Sequence, residues 1–320
     1  MGRYILRRLI QTIPLLFLIS IAMFALIHAL PGGPEAVLFN PRLSAAGRAA
    51  LRARFGLDDS LPVQYFKWIG NAFVGNFGFS FATNEAVSSI LARRFPATLE
   101  LFSIALFEAL IIAIVVGMIS AVRQYTLTDY ILTTLAYFGI AMPIFIFGLF
   151  AQDIFGIWAH WLPTSGTATF GVAFDPFNSV WDHLNHLILP TSVLALTFIA
   201  TWSRYMRASM IEVKRQDYMR TARAKGASSS SLIFRHALRN AVTPFITVVA
   251  IDFGAVAGGA AITESVFAWP GMGQLFIQSL DSRDYPVLLA MLLLSAVFVV
   301  AFNLIADILY GVMDPRIRYS

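Results

Sequence analysis

Six stretches of this sequence stay apolar for about the 20 residues a helix needs to cross a hydrocarbon core, and they limit what the chain can fold into. They run from Leu9 to Leu30, Ala97 to Val122, Tyr130 to Trp158 with Pro143 interrupting, Leu187 to Met206, Ala241 to Thr263, and Pro286 to Val312. The chain has too few charges to clothe so much apolar surface in water. Apolar residues are 58% of the 320 and charged residues 13%, about half the charged share of a soluble domain. The surplus must face lipid, which makes this an all-α, polytopic membrane protein with six transmembrane helices. Cysteine is absent, which excludes disulfides, thiolate metal sites and a thiol nucleophile.

Lys and Arg in short loops mark the cytoplasmic side. Arg3, Arg7 and Arg8 precede the first stretch, Arg123 follows the second, and Arg316 and Arg318 end the chain. Nine more lie between the fourth and fifth stretches: Arg204, Arg207, Lys214, Arg215, Arg220, Arg223, Lys225, Arg235 and Arg239. By contrast, Ala159 to His186 has none and Glu264 to Tyr285 has Arg283 alone. Both termini are therefore expected in the cytoplasm. The first stretch is too long for a signal-peptide core and leads into Pro31-Gly32-Gly33-Pro34 rather than a small-residue cleavage site, so it reads as a retained anchor. The expected divisions are a tip and first helix (1–30), an extracytoplasmic segment (31–96), a five-helix core (97–312) with a cytoplasmic loop at 207–240, and a cytoplasmic tail (313–320).

The extracytoplasmic segment carries signals of its own. Ser44 can cap a short helix ending before Gly56, Pro62 opens an amphipathic run to Val74, and Asn84 can cap Ala86–Phe95. Trp68, Phe66, Phe73, Phe77, Phe79 and Phe81 suit either an aromatic interfacial belt with lid helices or a docking surface for an external partner.

The cytoplasmic loop is the most informative segment. It reads Asp217-Tyr218-Met219-Arg220-Thr221-Ala222-Arg223-Ala224-Lys225-Gly226, then four serines, then Leu232 to Asn240. Ala, Met, Arg and Lys favour a short helix, Gly226 stands where a left-handed residue would close it, and Ser229 to Ser231 offer caps for a second helix. Holding topology needs only a few positive charges. An Ala-rich helix closed by Gly fits a groove on another protein.

With that loop in view, the chain resembles permease subunits of ABC importers in the dipeptide, oligopeptide and nickel permease family. Counting back from Gly226 puts Arg220, Thr221 and Ala222 where such permeases carry Glu-Ala-Ala, and Leu238-Arg239-Asn240 falls at the loop's end. Arg220 and Arg239 depart from the general pattern, but Arg-Thr-Ala-Arg-Ala-Lys-Gly is similar to the peptide branch. Leu57-Asp58-Asp59, Pro62-Val63-Gln64-Tyr65, Phe95-Pro96-Ala97-Thr98-Leu99-Glu100, Trp161-Leu162-Pro163, Thr263-Glu264-Ser265-Val266-Phe267, Trp269-Pro270-Gly271 and Asp314-Pro315-Arg316-Ile317-Arg318 extend the likeness from end to end.

The resemblance implies a type I importer permease in the inner (cytoplasmic) membrane, whose helix from Asp217 to Gly226 couples to an ATPase. It implies as partners a second homologous permease, two ATP-binding subunits, an extracytoplasmic binding protein and a peptide cargo. No nucleic-acid partner is expected. The chain holds no Gly-x-x-x-x-Gly-Lys-Ser/Thr phosphate cradle, so it is not expected to be an enzyme. It binds no cofactor of its own on this reading, with ATP and Mg on the ATPase subunits. Nickel, glutathione or another small solute is the alternative cargo.

Ionisable groups inside a bilayer are costly and tend to be functional. Glu108 and Asp252 each lie 11 residues into their stretches, near mid-depth, where they either line an aqueous path attracting cationic peptide groups or pair with a neighbouring helix. Pro143 is expected to kink the third stretch beside that path. Gly254, Gly258 and Gly259 give the fifth stretch a small face for close helix approach, either within the chain or against the second permease. His160, His183 and His186 lie on the outer side, but no Cys or Glu joins them in sequence, so no metal site is expected. An ion-driven secondary transporter predicts inverted repeats, and none relates 1–160 to 161–320. An intramembrane enzyme predicts a nucleophile or metal set such as His-Glu-x-x-His within a span, and none is present. A scaffold that carries nothing has no use for carboxylates at mid-depth.

Overall fold

The computed structural model describes residues 2–29, 52, 56–172, 175–254 and 260–313. Their regular structure is helical, with one isolated antiparallel bridge between Phe79 and Ala86. In chain order the helices are α1 (Gly2–Ala29), α2 (Leu61–Phe73), α3 (Val87–Val122), α4 (Leu127–Ala141), α5 (Ile144–Ala151), α6 (Pro176–Lys214), α7 (Asp217–Ala224), α8 (Arg239–Phe253), α9 (Ala261–Val266), α10 (Met272–Asp281) and α11 (Tyr285–Met313). Two π-helical stretches, Gln152–Trp158 and Ser231–Leu238, prolong α5 and lead into α8.

Among the described residues four helices are long and apolar enough to cross a membrane: α3, α6, and the parts Ile10–Ala29 of α1 and Tyr285–Ala306 of α11. A fifth is added if α4 and the α5 segment count as one span, bent by 102°. The bend falls at Pro143. A proline lacks the N–H a helix needs and disfavours helical backbone at the residue before it, so α4 stops at Ala141, Met142 is extended, and α5 starts anew at Ile144.

The expected fifth span is described only in part. α8 has 15 residues and continues the π-helical Ser231–Leu238 directly, while 255–259 of the expected stretch lie outside the described residues. Ala260 leaves the helical region and Ala261 to Thr263 belong to the separate helix α9. Ser44 lies outside the described residues. α3 starts ten residues earlier than the expected Ala97, absorbing the short helix expected at Ala86–Phe95. Pro96 sits inside α3, as prolines do where neighbouring elements satisfy the freed backbone. Asn84 adopts a left-handed φ of 59°, and the cap residue Ala86 receives no side-chain bond.

The core forms where α3 meets α6. Leu101, Ala105, Ala109, Ala113, Gly117 and Ala121 recur every fourth residue on one face of α3, and all are buried. Such a small-residue stripe lets two backbones approach closely. At Gly117 a Cβ would collide with the Met206 side chain and the Ser203 carbonyl of α6. Trp202, Met206 and Met210 of α6, with Phe245 of α8, fill the rest of this cluster.

Two carboxylates tie the opposite end of the bundle together. Fully buried Glu264 of α9 accepts hydrogen bonds from Thr98 Oγ1 at 2.9 Å, from the Gln274 N–H at 2.9 Å and from the Ala260 N–H at 3.2 Å. Trp269 donates its indole N–H to the Ala97 carbonyl at 2.9 Å. Any side chain on Gly271 would strike Glu264 and Thr98. The Phe-Pro-Ala-Thr, Thr-Glu-Ser and Trp-Pro-Gly signposts thus form one knot. Asp284, just before α11, holds the 80–82 loop by accepting from Ser80 Oγ and the Phe81 N–H. Beside it, Tyr65 of α2 bonds Ser20 of α1 at 2.8 Å and packs with Trp68 around Phe24.

Replacing Gly117 by Leu overfills the α3–α6 contact and is expected to cost about 1–3 kcal/mol, read as a lower thermal midpoint of the detergent-solubilised chain. Gly70→Ala in α2, with open space around it, leaves that midpoint unchanged or slightly raised.

Candidate coupling helix and the buried carboxylates

α7 is a short helix with strongly defined ends. Gln216 is extended and Asp217 opens the first turn, while Arg223 occupies the last, each charge complementing its end of the helix dipole. Gly226 takes a φ of 80°. The Gly226 N–H donates to the Arg223 carbonyl at 3.0 Å and the Ala227 N–H to the Ala222 carbonyl at 3.2 Å, the pair of bonds that closes a helix on a left-handed glycine. The next helix is capped by Ser228 rather than by Ser229 to Ser231, its Oγ accepting from the Ser231 N–H at 3.3 Å. That helix starts at Ser229, which puts Ser228 at the non-helical cap position.

The faces of α7 are unequal. Met219 is 4% exposed and joins the central apolar cluster, with Ala222 packed against it. Asp217, Tyr218, Arg220, Thr221, Arg223, Ala224, Lys225 and Gly226 face outward. Tyr218, Thr221, Ala222, Lys225, Ala227 and His236 line a shallow groove along one edge. Burial of part of the Tyr218 ring pushes its phenol above the ordinary value, so it stays neutral near pH 7. The Arg220–Asp217 pair, 3.6 Å apart and largely exposed, contributes little stability in water. α7 therefore presents a basic surface with a small apolar edge, pinned to the bundle by one methionine.

A buried carboxylate lies two turns before α6 ends. Asp129, in the first turn of α4, is 2% exposed. Arg207 of α6 grips it with both arms, Nε to Oδ1 and Nη2 to Oδ2 each at 2.8 Å. Ser120 Oγ of α3 donates to Oδ1, and the Tyr125 N–H donates to Oδ2 at 2.9 Å. Lys214, the last residue of α6, donates to the Ala121 carbonyl in the final turn of α3 at 2.7 Å. Neither Asp129 nor Ser120 stood out in the sequence, and Arg207 counted only as one of nine basic residues. The available signal was a polar Ser and Asp nine residues apart at the ends of two apolar stretches.

The path candidates both lie against α6. Glu108 of α3 has Ser192 as its polar neighbour, and Asp252 of α8 accepts the Trp202 indole N–H at 2.6 Å. Ser192 and Trp202 are ten residues apart in one helix, about 15 Å of rise. The polar partners of the two carboxylates therefore lie at different levels of α6. Gly254 is buried against Val299 and Phe302 of α11, a close approach within this chain. Gly258 and Gly259 lie outside the described residues. His183 lies 2.9 Å from both Glu100 and the Thr167 carbonyl, and His186 bonds the Asp182 carbonyl at 2.8 Å.

Comparison with known proteins agrees with the geometry. Residues 113–319 match the family described as binding-protein-dependent transport system inner membrane component, and residues 1–102 match the N-terminal family of such membrane components. The chain is 42% identical to the oligopeptide transport system permease protein AppB of Bacillus subtilis, with 100% of both chains covered. It is 41% identical to a putative peptide permease protein of Brucella ovis and 37% identical to the glutathione transport system permease protein GsiC of Escherichia coli K12, again covering 100% of each. With the family match spanning most of its length, this chain belongs to the inner membrane components of binding-protein-dependent transport systems.

Proposed function

We propose that this chain is the permease of an ATP-driven importer that carries di- and oligopeptides across the cytoplasmic membrane. On this reading it crosses the bilayer six times with both termini in the cytoplasm. ATP and Mg bind two separate ATPase subunits, a second permease completes the path, and an extracytoplasmic protein delivers the peptide. The observation that carries the reading is α7, a basic eight-residue helix whose exposed face is shaped for a groove in another protein. The relatives named for oligopeptides or peptides are 42% and 41% identical, against 37% for the one named for glutathione, which favours peptides as cargo. Closure of the ATPases would move α7 and rock the permeases between inward-open and outward-open states. Substrate affinity must differ between those states for ATP to drive net import.

The reading is tested by reconstituting the chain with its partner subunits and binding protein in vesicles. Peptide should accumulate only when ATP is supplied, and accumulation without ATP contradicts it. Ala222→Trp fills the groove beside Tyr218, and energised uptake is expected to fall about tenfold or more while the chain still reaches the membrane. Glu108→Gln and Asp252→Asn are expected to depress uptake of cationic peptides more than neutral ones. Equal uptake of both classes would remove these carboxylates from the path.

A further inference from the structure

We propose that Asp129, Arg207 and Lys214 form the joint that passes movement of α7 into α3 and α4, making them positioning residues for coupling. The inference rests on the reading of the chain as an importer permease. Both bonds spring from the last two turns of α6, and only Arg215 and Gln216 separate Lys214 from the start of α7. Each bond lands on a different helix, Arg207 on the first turn of α4 and Lys214 on the last turn of α3. Ser209 adds a third tie, donating to the Ala241 carbonyl of α8 at 2.9 Å.

The chemistry makes this joint stiff. A two-armed guanidinium–carboxylate bond fixes orientation as well as distance. Sliding it apart would strand a buried charge, a far larger penalty than breaking an exposed pair. The Lys214 ammonium completes an otherwise unpaired carbonyl at a helix C-terminus, where positive charge is favoured. The ends of α3 and α6 and the start of α4 therefore move as one block with α7. That block drives α4, whose far end is the Pro143 break with its 102° bend. A displacement of α7 is thereby delivered to the place where the chain is already jointed.

The test uses the complete importer in vesicles, with ATP hydrolysis and peptide uptake measured on the same preparation. Arg207→Lys keeps the charge and loses the fork. Lys214→Gln removes the charge and leaves the Asp129–Arg207 pair intact. Both complexes should assemble and hydrolyse ATP at undiminished rate, while peptide moved per ATP falls about tenfold. An unchanged ratio in assembled Lys214→Gln overturns the proposal. So does a parallel fall in both activities, or loss of assembly in both variants, because either would mark the clamp as purely structural. If the unaltered complex fails to transport peptide at all, the functional reading fails instead.

Discussion

Small side chains at every fourth position of α3, from Ala105 to Ala121, let its backbone press against α6. The other helices take their places around that contact. In lipid there is no hydrophobic force between helices, so close packing and polar bonds must hold them. α3 and α6 supply the packing along about 54 and 59 Å of helix, from their 36 and 39 residues. Both are long enough to overshoot the hydrocarbon core at either end. Their projecting ends receive the polar knots: Asp129 with Arg207 at one end, Glu264 with Thr98 at the other.

Those knots share a design. Asp129, Glu264 and Asp284 are all buried, and each accepts several donors from segments far apart in the chain. An unpaired carboxylate in such surroundings would be strongly destabilising, whereas a satisfied one specifies a single arrangement of its partners. Glu264 and Asp284 fix the loops at one end. At the other, Asp129 lies at the junction of three helices, next to the only short basic helix in the described bundle. The same kind of interaction thus holds the bundle together at both ends.

The sequence disclosed what depends on local chemistry. The apolar stretches marked α1, α3, α6 and α11. The Ala-Arg run with Gly226 marked α7 and its left-handed closure, and Pro143 marked the break in the third stretch. Interactions between distant residues were not legible. Nothing near Asp129 in the chain announces Arg207, 78 residues away, and nothing near Thr98 announces Glu264. The α3 stripe escaped notice because Leu, Ile and Phe surround its alanines, whereas the Gly cluster after Asp252 stands out by composition. Apolarity alone does not report the departure from helical backbone at Ala260, inside the expected fifth span. The serine cap moved by one residue because four consecutive serines offer equivalent caps until the turn geometry chooses Ser228.

The account centres on α7 meeting an ATPase, and because the chain contains no cysteine, site-directed cross-linking can examine this contact against a clean background. A photo-reactive group at Tyr218 or Arg220, in membranes holding the complete importer, should capture the ATP-binding subunit with a yield that changes when ATP is added. The same group at Phe73, 85% exposed on α2, should not capture it. Capture from Phe73 with none from Tyr218 or Arg220 would contradict the account.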